Sequence, residues 1–218
     1  MNQSKLHSYR TAPQYKFRYP IPRDYAEAIR FDVKNGNTRW QDATKLEMQQ
    51  LDDYHCFKDA GIAKDRTPPE GYKKIRVHLV FDVKHDGRHK SRCVVGGHLT
   101  DDPIDSVYSG VISLCGLHLV AFLSELNDLE LWAMDIGNAY LEAYMGEKVY
   151  IIAGPEFGDH EGHILIIWKA LYGLRSSGLR WYRPFQHAYT TWASSHPRLS
   201  QRFGCAVLMI IMSTSPFM

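Results

Sequence analysis

The sequence lacks a long apolar run, an apolar segment near its start and a marked excess of either charge. Its longest apolar run, Cys205 to Met212, is eight residues, whereas a membrane-spanning helix needs about 20. Residues 1–23 are polar and basic, which is not typical of a signal peptide. Lysine and arginine total 26 against 24 aspartate and glutamate, so the net charge of +2 does not by itself indicate a polyanionic partner. These absences predict an intracellular protein, cytoplasmic or nuclear, with no membrane partner.

Paired cysteines and several familiar catalytic motifs are also missing. The four cysteines (Cys56, Cys93, Cys115 and Cys205) lie far apart, which excludes a cysteine zinc site and a small disulfide scaffold and predicts reduced thiols. No Walker loop, GxSxG or HExxH motif occurs. The chain has 218 residues, 44% apolar and 23% charged, which are ordinary values for one globular domain, or one and a half, with a sizeable core.

The first half of the chain carries clear helix and strand patterns. Residues 1–37 contain several prolines and are interpreted as a linker or extended arm. Thr38 and Gln41 predict a capping box, and apolar residues at helical spacing follow as far as Tyr54. Residues 75–83 alternate apolar and polar, Asp86-Gly87 is a hairpin turn, and residues 89–95 return as the partner strand.

The second half alternates helices and strands. Residues 112–126 are apolar on most faces and predict a buried helix, and residues 129–136 predict a buried strand that ends near Asp135. KVYII and HILIIWKA predict two further strands, and a short helix limited by Pro184 follows the sequence LYGL. Hairpins alternating with helices predict an α+β fold with an antiparallel sheet.

Two features could carry chemistry. Seven basic residues lie between Lys73 and Arg92 against only two aspartates, a local charge of +5 that is suited to phosphate binding; a solvated hairpin with lysines along its edge is the alternative. Asp135 follows an apolar segment, where a carboxylate is costly unless it binds a cation or accepts hydrogen bonds; the alternative is an ordinary turn cap. His78, His85 and His89 show no spacing typical of metal ligands.

Several motifs occur in a characteristic order. W-x2-A-x3-E-x3-L (Trp40 to Leu51) is followed by FDVK, KSRCVVGG, MDIGNAYL, KVYIIAGPEF, and KALYGLR with Trp181. Each motif alone is weak, but their order and spacing over residues 40–181 resemble the copia-type retrotransposon reverse transcriptases. The resemblance implies an α+β fold, in which a fingers hairpin with its helices precedes the first part of an antiparallel palm, over residues 38–182.

The resemblance also implies an RNA-directed DNA polymerase that uses two Mg²⁺ ions, with an RNA or DNA template-primer and deoxynucleotides as partners. Lys84 and Arg92 match residues that hold the triphosphate, and Ile136 would offer its backbone carbonyl. Tyr140 matches the aromatic residue that excludes a ribose 2′-hydroxyl. Asp135 matches the first catalytic, metal-binding aspartate. The remaining basic residues of the hairpin region are expected to bind nucleic acid: Lys73, Lys74, Arg88 and Lys90.

The sequence departs from the family pattern in three places. Ser176 stands where many members have a glutamine, so no nucleotide contact is carried over to it. No adjacent aspartate pair follows Asp102 and no aspartate follows Asp159, so we expect Mg²⁺ binding to be weak and catalysis to be lost. Residues 183–218 read as an off-frame tail, because permitted codons read one base earlier encode family-like segments; coincidence is the alternative.

Two other interpretations stay open. The chain could be a non-catalytic nucleic-acid-binding fragment that uses its basic hairpin. It could also be an unstable pseudogene product in which an incomplete palm leaves apolar side chains partly exposed, among them Leu131, Trp132, Ile151 and Ile166.

Overall fold

The computed structural model describes residues 14–97, 113–128, 131 and 136–195. The strands are β1 (Gln14–Lys16), β2 (Tyr19–Ile21), β3 (Phe57–Ile62), β4 (Lys73–Lys74), β5 (Val77–Val83), β6 (His89–Val95), β7 (Val149–Ile152) and β8 (His163–Ile167). The helices are α1 (Tyr25–Asn35), α2 (Arg39–Asp53), α3 (Leu114–Leu126), α4 (Ala139–Glu142) and α5 (Ser177–Ser195), with a 3₁₀ helix at Pro155–His160. None of these helices is long and apolar enough to cross a membrane.

The mixture of helices and strands confirms the α+β class. Three sheets are present in the described residues: the β1–β2 hairpin, the β5–β6 hairpin, and a four-stranded sheet in the order β3-β8-β7-β4. The predicted antiparallel sheet is formed by β3, β8 and β7, whereas the short strand β4 at one edge pairs in parallel with β7. β7 and β8 bury Ile151 and Ile166 at 1% and 8% exposure, so the expectation that these two side chains are partly exposed was wrong. Leu131 is 45% exposed, and Trp132 lies outside the described residues.

The predicted β5–β6 hairpin forms with its turn at Asp86-Gly87. The register pairs Val77 with Val95 and Val83 with His89. One face is buried, and its members include Leu79, Phe81, Val83, Cys93 and Val95. This face packs on α2, where the rings of Trp40 and Phe81 meet edge to face at 5.5 Å. The alternation in the sequence therefore separates a core face from a solvent face.

Glu47, the glutamate of the W-x2-A-x3-E-x3-L motif, contacts the hairpin. Its Oε1 accepts a hydrogen bond of 2.9 Å from the backbone N–H of Cys93, on the edge of β6 that faces α2. Burial raises the pKa of Glu47, and the Cys93 N–H, Lys90 and Arg92 only partly counteract this. The motif residues Trp40, Ala43 and Leu51 are buried, so the motif describes the helix face that covers the hairpin.

The raised pKa of Glu47 leads to a prediction about stability. Because burial raises its folded-state pKa above the ordinary value of a glutamate, its contribution is most favourable at pH below that ordinary value and declines as pH rises through the folded-state pKa. Glu47→Gln keeps the hydrogen-bond acceptor but cannot ionise. The free energy of unfolding of this variant minus that of the wild type should therefore increase from pH 4 to pH 8. Glu47→Leu leaves the Cys93 N–H unpaired and should cost about 1–3 kcal/mol. Urea denaturation across pH measures both, and a pH-independent Glu47→Gln difference would contradict the assignment.

The start of α2 differs from the predicted capping box. Thr38 is the N-cap residue, but its side chain makes no capping hydrogen bond and donates instead to Asp42. The fully buried Asp32 of α1 accepts the backbone N–H groups of Trp40 and Gln41 at 3.1 and 2.9 Å. These are the two amides that an N-cap side chain usually satisfies, so the capping box was wrong, because a residue of another helix takes its place.

Three further expectations differ from the structure. Part of the region interpreted as a linker or arm forms β1, β2 and α1, and α1 buries Ala28 and Asp32. The predicted buried helix forms as α3, but among the described residues several of its apolar side chains are exposed, including Phe122 at 61% and Leu126 at 67%. The segment after LYGL is not short, because α5 continues through Pro184. A proline removes one backbone N–H, and the first half of α5 is held by the packing of Trp181 and Phe185.

Candidate nucleotide and nucleic-acid interface

Four of the predicted phosphate-binding residues lie on one side of the β5–β6 hairpin. Lys90 and Arg92 pair with Asp82 and Val80, on the face opposite the buried one. Lys84 follows β5 with the same alternation, and its backbone N–H donates to the carbonyl of Arg88. We call the outward face formed by Lys84, Arg88, Lys90 and Arg92 the basic strip. Strand alternation alone places these long side chains together.

Both aspartates of the hairpin are already engaged by cations. Lys16 Nζ lies 2.6 Å from Asp82 Oδ1, and Arg88 Nε lies 2.6 Å from Asp86 Oδ2. The backbone N–H of Arg88, together with its guanidinium, lowers the pKa of Asp86. The carboxylates therefore offset part of the local positive charge, and Lys84, Lys90 and Arg92 still give the strip a positive field toward solvent.

The other two predicted basic residues lie on a different sheet. Lys73 and Lys74 form β4, where they pair with Val149 and Tyr150. A cleft connects β4 with the base of the hairpin, and Lys74 and Arg76 line it together with Gly97 and Gly173. The structure therefore divides the predicted basic set into the strip and a second pair on β4, of which Lys74 lines this cleft.

An aromatic side chain connects two of the predicted nucleotide-binding residues. The guanidinium carbon of Arg92 lies 5.7 Å from the ring centroid of Tyr172. The Tyr172 ring lies 5.1 Å from that of Tyr140, tilted by 58°. Arg92 comes from the hairpin, Tyr172 from the LYGL turn and Tyr140 from α4. Sequence analysis gave Tyr172 no role, although the LYGL motif that contains it was recognised.

The LYGL turn is held against β6 by backbone contacts. The Val95 N–H donates to the Tyr172 carbonyl at 2.8 Å, and Val94 and Tyr172 form a parallel bridge. A Cβ atom on Gly97 would lie 2.0 Å from the Gly173 carbonyl oxygen, and one on Gly173 would lie 2.1 Å from the Val95 carbonyl oxygen. The glycines of KSRCVVGG and LYGL are thus the points where two backbones touch, and this contact positions Tyr172.

The α4 region is anchored by α5. Ile136 and Tyr140 pack on a small buried cluster of Ala143, Ala170 and Trp181. The Trp181 ring stacks on Phe185 at 4.9 Å, with 6° between the planes. Asp135, the predicted catalytic and Mg²⁺-binding residue, lies outside the described residues, and so does most of the strand predicted to carry it. The backbone role predicted for Ile136 stays a prediction.

The predicted triphosphate ligands are separated along the strip. Arg92 on β6 pairs with Val80 on β5, and Lys84 follows Val80 by four residues. At about 3.3 Å per strand residue, their backbones are roughly 13 Å apart. Long side chains can converge over that distance on an extended polyphosphate, whereas a single phosphate group would meet one of them.

Comparison with known proteins finds one family match and related polyproteins. Residues 66–196 match the family described as reverse transcriptase (RNA-dependent DNA polymerase). The Transposon Ty1-DR5 and Ty1-DR1 Gag-Pol polyproteins of Saccharomyces cerevisiae are each 31% identical to the chain over 165 residues, covering 72% of it. The aligned part is 9% of each polyprotein, so the chain spans a small part of these relatives. No solved structure matches significantly.

Proposed function

The chain belongs to the copia-type reverse transcriptases, and on this premise we propose that it forms the fingers and first palm segment of an RNA-directed DNA polymerase. The observation that supports this most directly is the contact series Arg92–Tyr172–Tyr140, which joins the hairpin to α4. Phosphate-binding and sugar-contacting positions of the family pattern are thereby neighbours. Template-primer and deoxynucleotides are the proposed partners.

In this proposal separate residues contact the phosphates, the sugar, Mg²⁺ and the nucleic-acid backbone. Lys84 and Arg92 bind the phosphates of the incoming nucleotide by charge-assisted hydrogen bonds. Tyr140 closes on the sugar, and Tyr172 orients both the Arg92 guanidinium and the Tyr140 ring. Asp135 is the proposed ligand of Mg²⁺, which when bound stabilises charge on the reacting phosphate. Arg88, Lys90, Lys73 and Lys74 bind the nucleic-acid backbone, which carries one charge per nucleotide.

Nucleotide binding tests the proposal without requiring catalysis. We expect Arg92→Ala to weaken binding of a deoxynucleoside triphosphate in Mg²⁺ buffer about tenfold or more, because a charge-assisted hydrogen bond contributes about 1.5–3 kcal/mol. Arg92→Lys should restore only part of the loss, since lysine lacks the planar guanidinium that lies over the Tyr172 ring. Arg30→Ala, on the exposed side of α1, is the matched control. Titration calorimetry gives the affinities, and equal affinities for Arg92→Ala and Arg30→Ala would refute the role of Arg92.

A second candidate is nucleic-acid binding without catalysis, and the basic strip favours it. For the 218-residue chain alone we propose no primer extension with Mg²⁺ or Mn²⁺, because Asp135 is the sole aspartate matched to the family's catalytic set. Lys90→Ala should remove one phosphate contact. The plot of log affinity for a primer-template against log salt concentration should therefore become less steep by about 0.9. Template-dependent extension that Asp135→Asn abolishes would contradict the non-catalytic interpretation.

The division at residue 183 is likewise a proposal. We propose that residues 38–182 carry the family sequence and that residues 183–218 derive from a shifted reading frame. The family match extends to residue 196 and so overlaps the start of the segment that this proposal assigns to the shifted frame. Sequencing of the gene tests this, because the neighbouring frame should then encode the missing aspartate pair.

A further inference from the structure

A cluster of one carboxylate and two imidazoles lies where β3 meets the start of β8. Asp59 Oδ2 is 2.8 Å from His163 Nδ1 and 3.3 Å from His160 Nδ1. One donor atom from each side chain lies within 4.8 Å of the other two. Sequence analysis did not select these residues, and the H-x2-H spacing of His160 and His163 is shorter than the H-x3–5-H spacing typical of zinc fingers. This site goes beyond the proposed polymerase function.

The backbone fixes all three side chains. The β3–β8 pairing changes register between Asp59 and Ile62, and in this bulge the Gly61 N–H donates to Asp59 Oδ1 at 2.7 Å. That bond leaves Oδ2 directed at both histidines. His163 begins β8 opposite Ile62, and the 3₁₀ helix that ends at His160 returns to β8 through Gly162, whose φ is +78°. The orientation of the carboxylate by a second hydrogen bond is typical of metal ligands.

The charge around the cluster favours a cation. The adjoining cavity is lined by Asp52, Asp59 and Asp159 against Lys45. An acidic wall thus borders the two imidazoles.

The donor set and spacing fit a late first-row divalent ion. Zinc binds imidazole nitrogen at about 2.0–2.1 Å and carboxylate oxygen at about 2.0–2.2 Å, so its tetrahedral ligands are roughly 3.3–3.5 Å apart. The contacts of 2.8 and 3.3 Å to Asp59 require only small side-chain movements to reach that spacing. Imidazole ligands favour Zn²⁺ over Mg²⁺, which prefers oxygen. The side chain of His160 is 53% exposed, which leaves a position for water.

We propose that Asp59, His160 and His163 form a Zn²⁺-binding site that joins β3 to the start of β8. The ion would connect residues about 100 positions apart in the sequence and close one end of the four-stranded sheet. Because metal binding to the folded chain stabilises it by mass action, Zn²⁺ should raise the thermal midpoint.

The experiment uses the full chain carrying Cys115→Ser, which removes an exposed thiol that could bind metal elsewhere. Calorimetric titration with Zn²⁺ alone should show one site, weakened at least tenfold in both Asp59→Asn and His163→Ala. His118→Ala, which removes an exposed histidine of α3, should bind as the parent does. Asp59→Asn preserves the shape of the side chain, and circular dichroism checks that each variant remains folded.

Co²⁺ provides a second readout that does not depend on affinity alone. Its visible absorption should appear in the parent without a thiolate charge-transfer band and should be lost in Asp59→Asn. Zn²⁺ should raise the thermal midpoint of the parent and of His118→Ala but not that of His163→Ala. Absence of Zn²⁺ binding by the parent, or equal binding by the parent and Asp59→Asn, would overturn the proposal.

Discussion

Replacing Gly173 by alanine should destabilise the folded chain by about 3 kcal/mol or more. Gly173 has φ of +91°, and a Cβ there would lie 2.1 Å from the Val95 carbonyl oxygen. The positive φ alone costs about 1–3 kcal/mol in a residue with a side chain, and the clash adds about 1–3 kcal/mol because it involves backbone that is hydrogen-bonded to the same turn. The two costs have one origin, the direct contact between the LYGL turn and β6.

Gly87→Ala is the matched control for this prediction. Gly87 also has a positive φ, +80°, but a Cβ there would meet nothing within 4 Å. Its cost should therefore be only that of backbone strain, about 1 kcal/mol. Urea denaturation gives both free energies of unfolding. If the two variants lose the same stability, backbone strain alone explains the glycines and the close packing of LYGL on β6 is not important.

Asp32→Ala should be the second severe substitution, with a loss of about 3 kcal/mol. The Asp32 carboxylate is fully buried and accepts the N–H groups of Trp40 and Gln41. Hydrogen bonds to a charged group contribute about 1.5–3 kcal/mol, and a negative charge at a helix N-terminus is favourable. Alanine removes both effects and leaves two amides without their acceptor at the start of α2.

Thr38→Ala is the matched control for Asp32→Ala. Thr38 occupies the N-cap position, but its side chain makes no capping hydrogen bond, so Thr38→Ala should cost less than about 1 kcal/mol. The thermal midpoint should accordingly fall much further for Asp32→Ala than for Thr38→Ala. A larger effect at Thr38 would support the local capping box that the sequence suggests and would contradict the assignment of Asp32.

Errors in the sequence-based expectations have a common physical cause. The sequence indicates that α2 begins near Thr38, but not that its cap comes from α1, because Asp32 is brought to the helix end by packing. It indicates the apolar character of α3, but the burial of a helix depends on its neighbours, and among the described residues several of its apolar side chains are exposed. It predicts that the last helix ends at Pro184, whereas α5 continues through this residue. Trp181 and Phe185, on either side of Pro184, pack in the same small cluster.

The sequence by itself determined the family, the α+β class, α2, the β5–β6 hairpin and the strands β7 and β8, because these follow from local periodicity, turn residues and motif order. Alternation alone also placed Lys90 and Arg92 on one face. Only the tertiary structure decided that Tyr172 lies between Arg92 and Tyr140, that Gly97 meets Gly173, and that Asp59 meets His160 and His163. These contacts join residues far apart in the chain, so they depend on strand register and on the packing of whole elements, which no local pattern specifies.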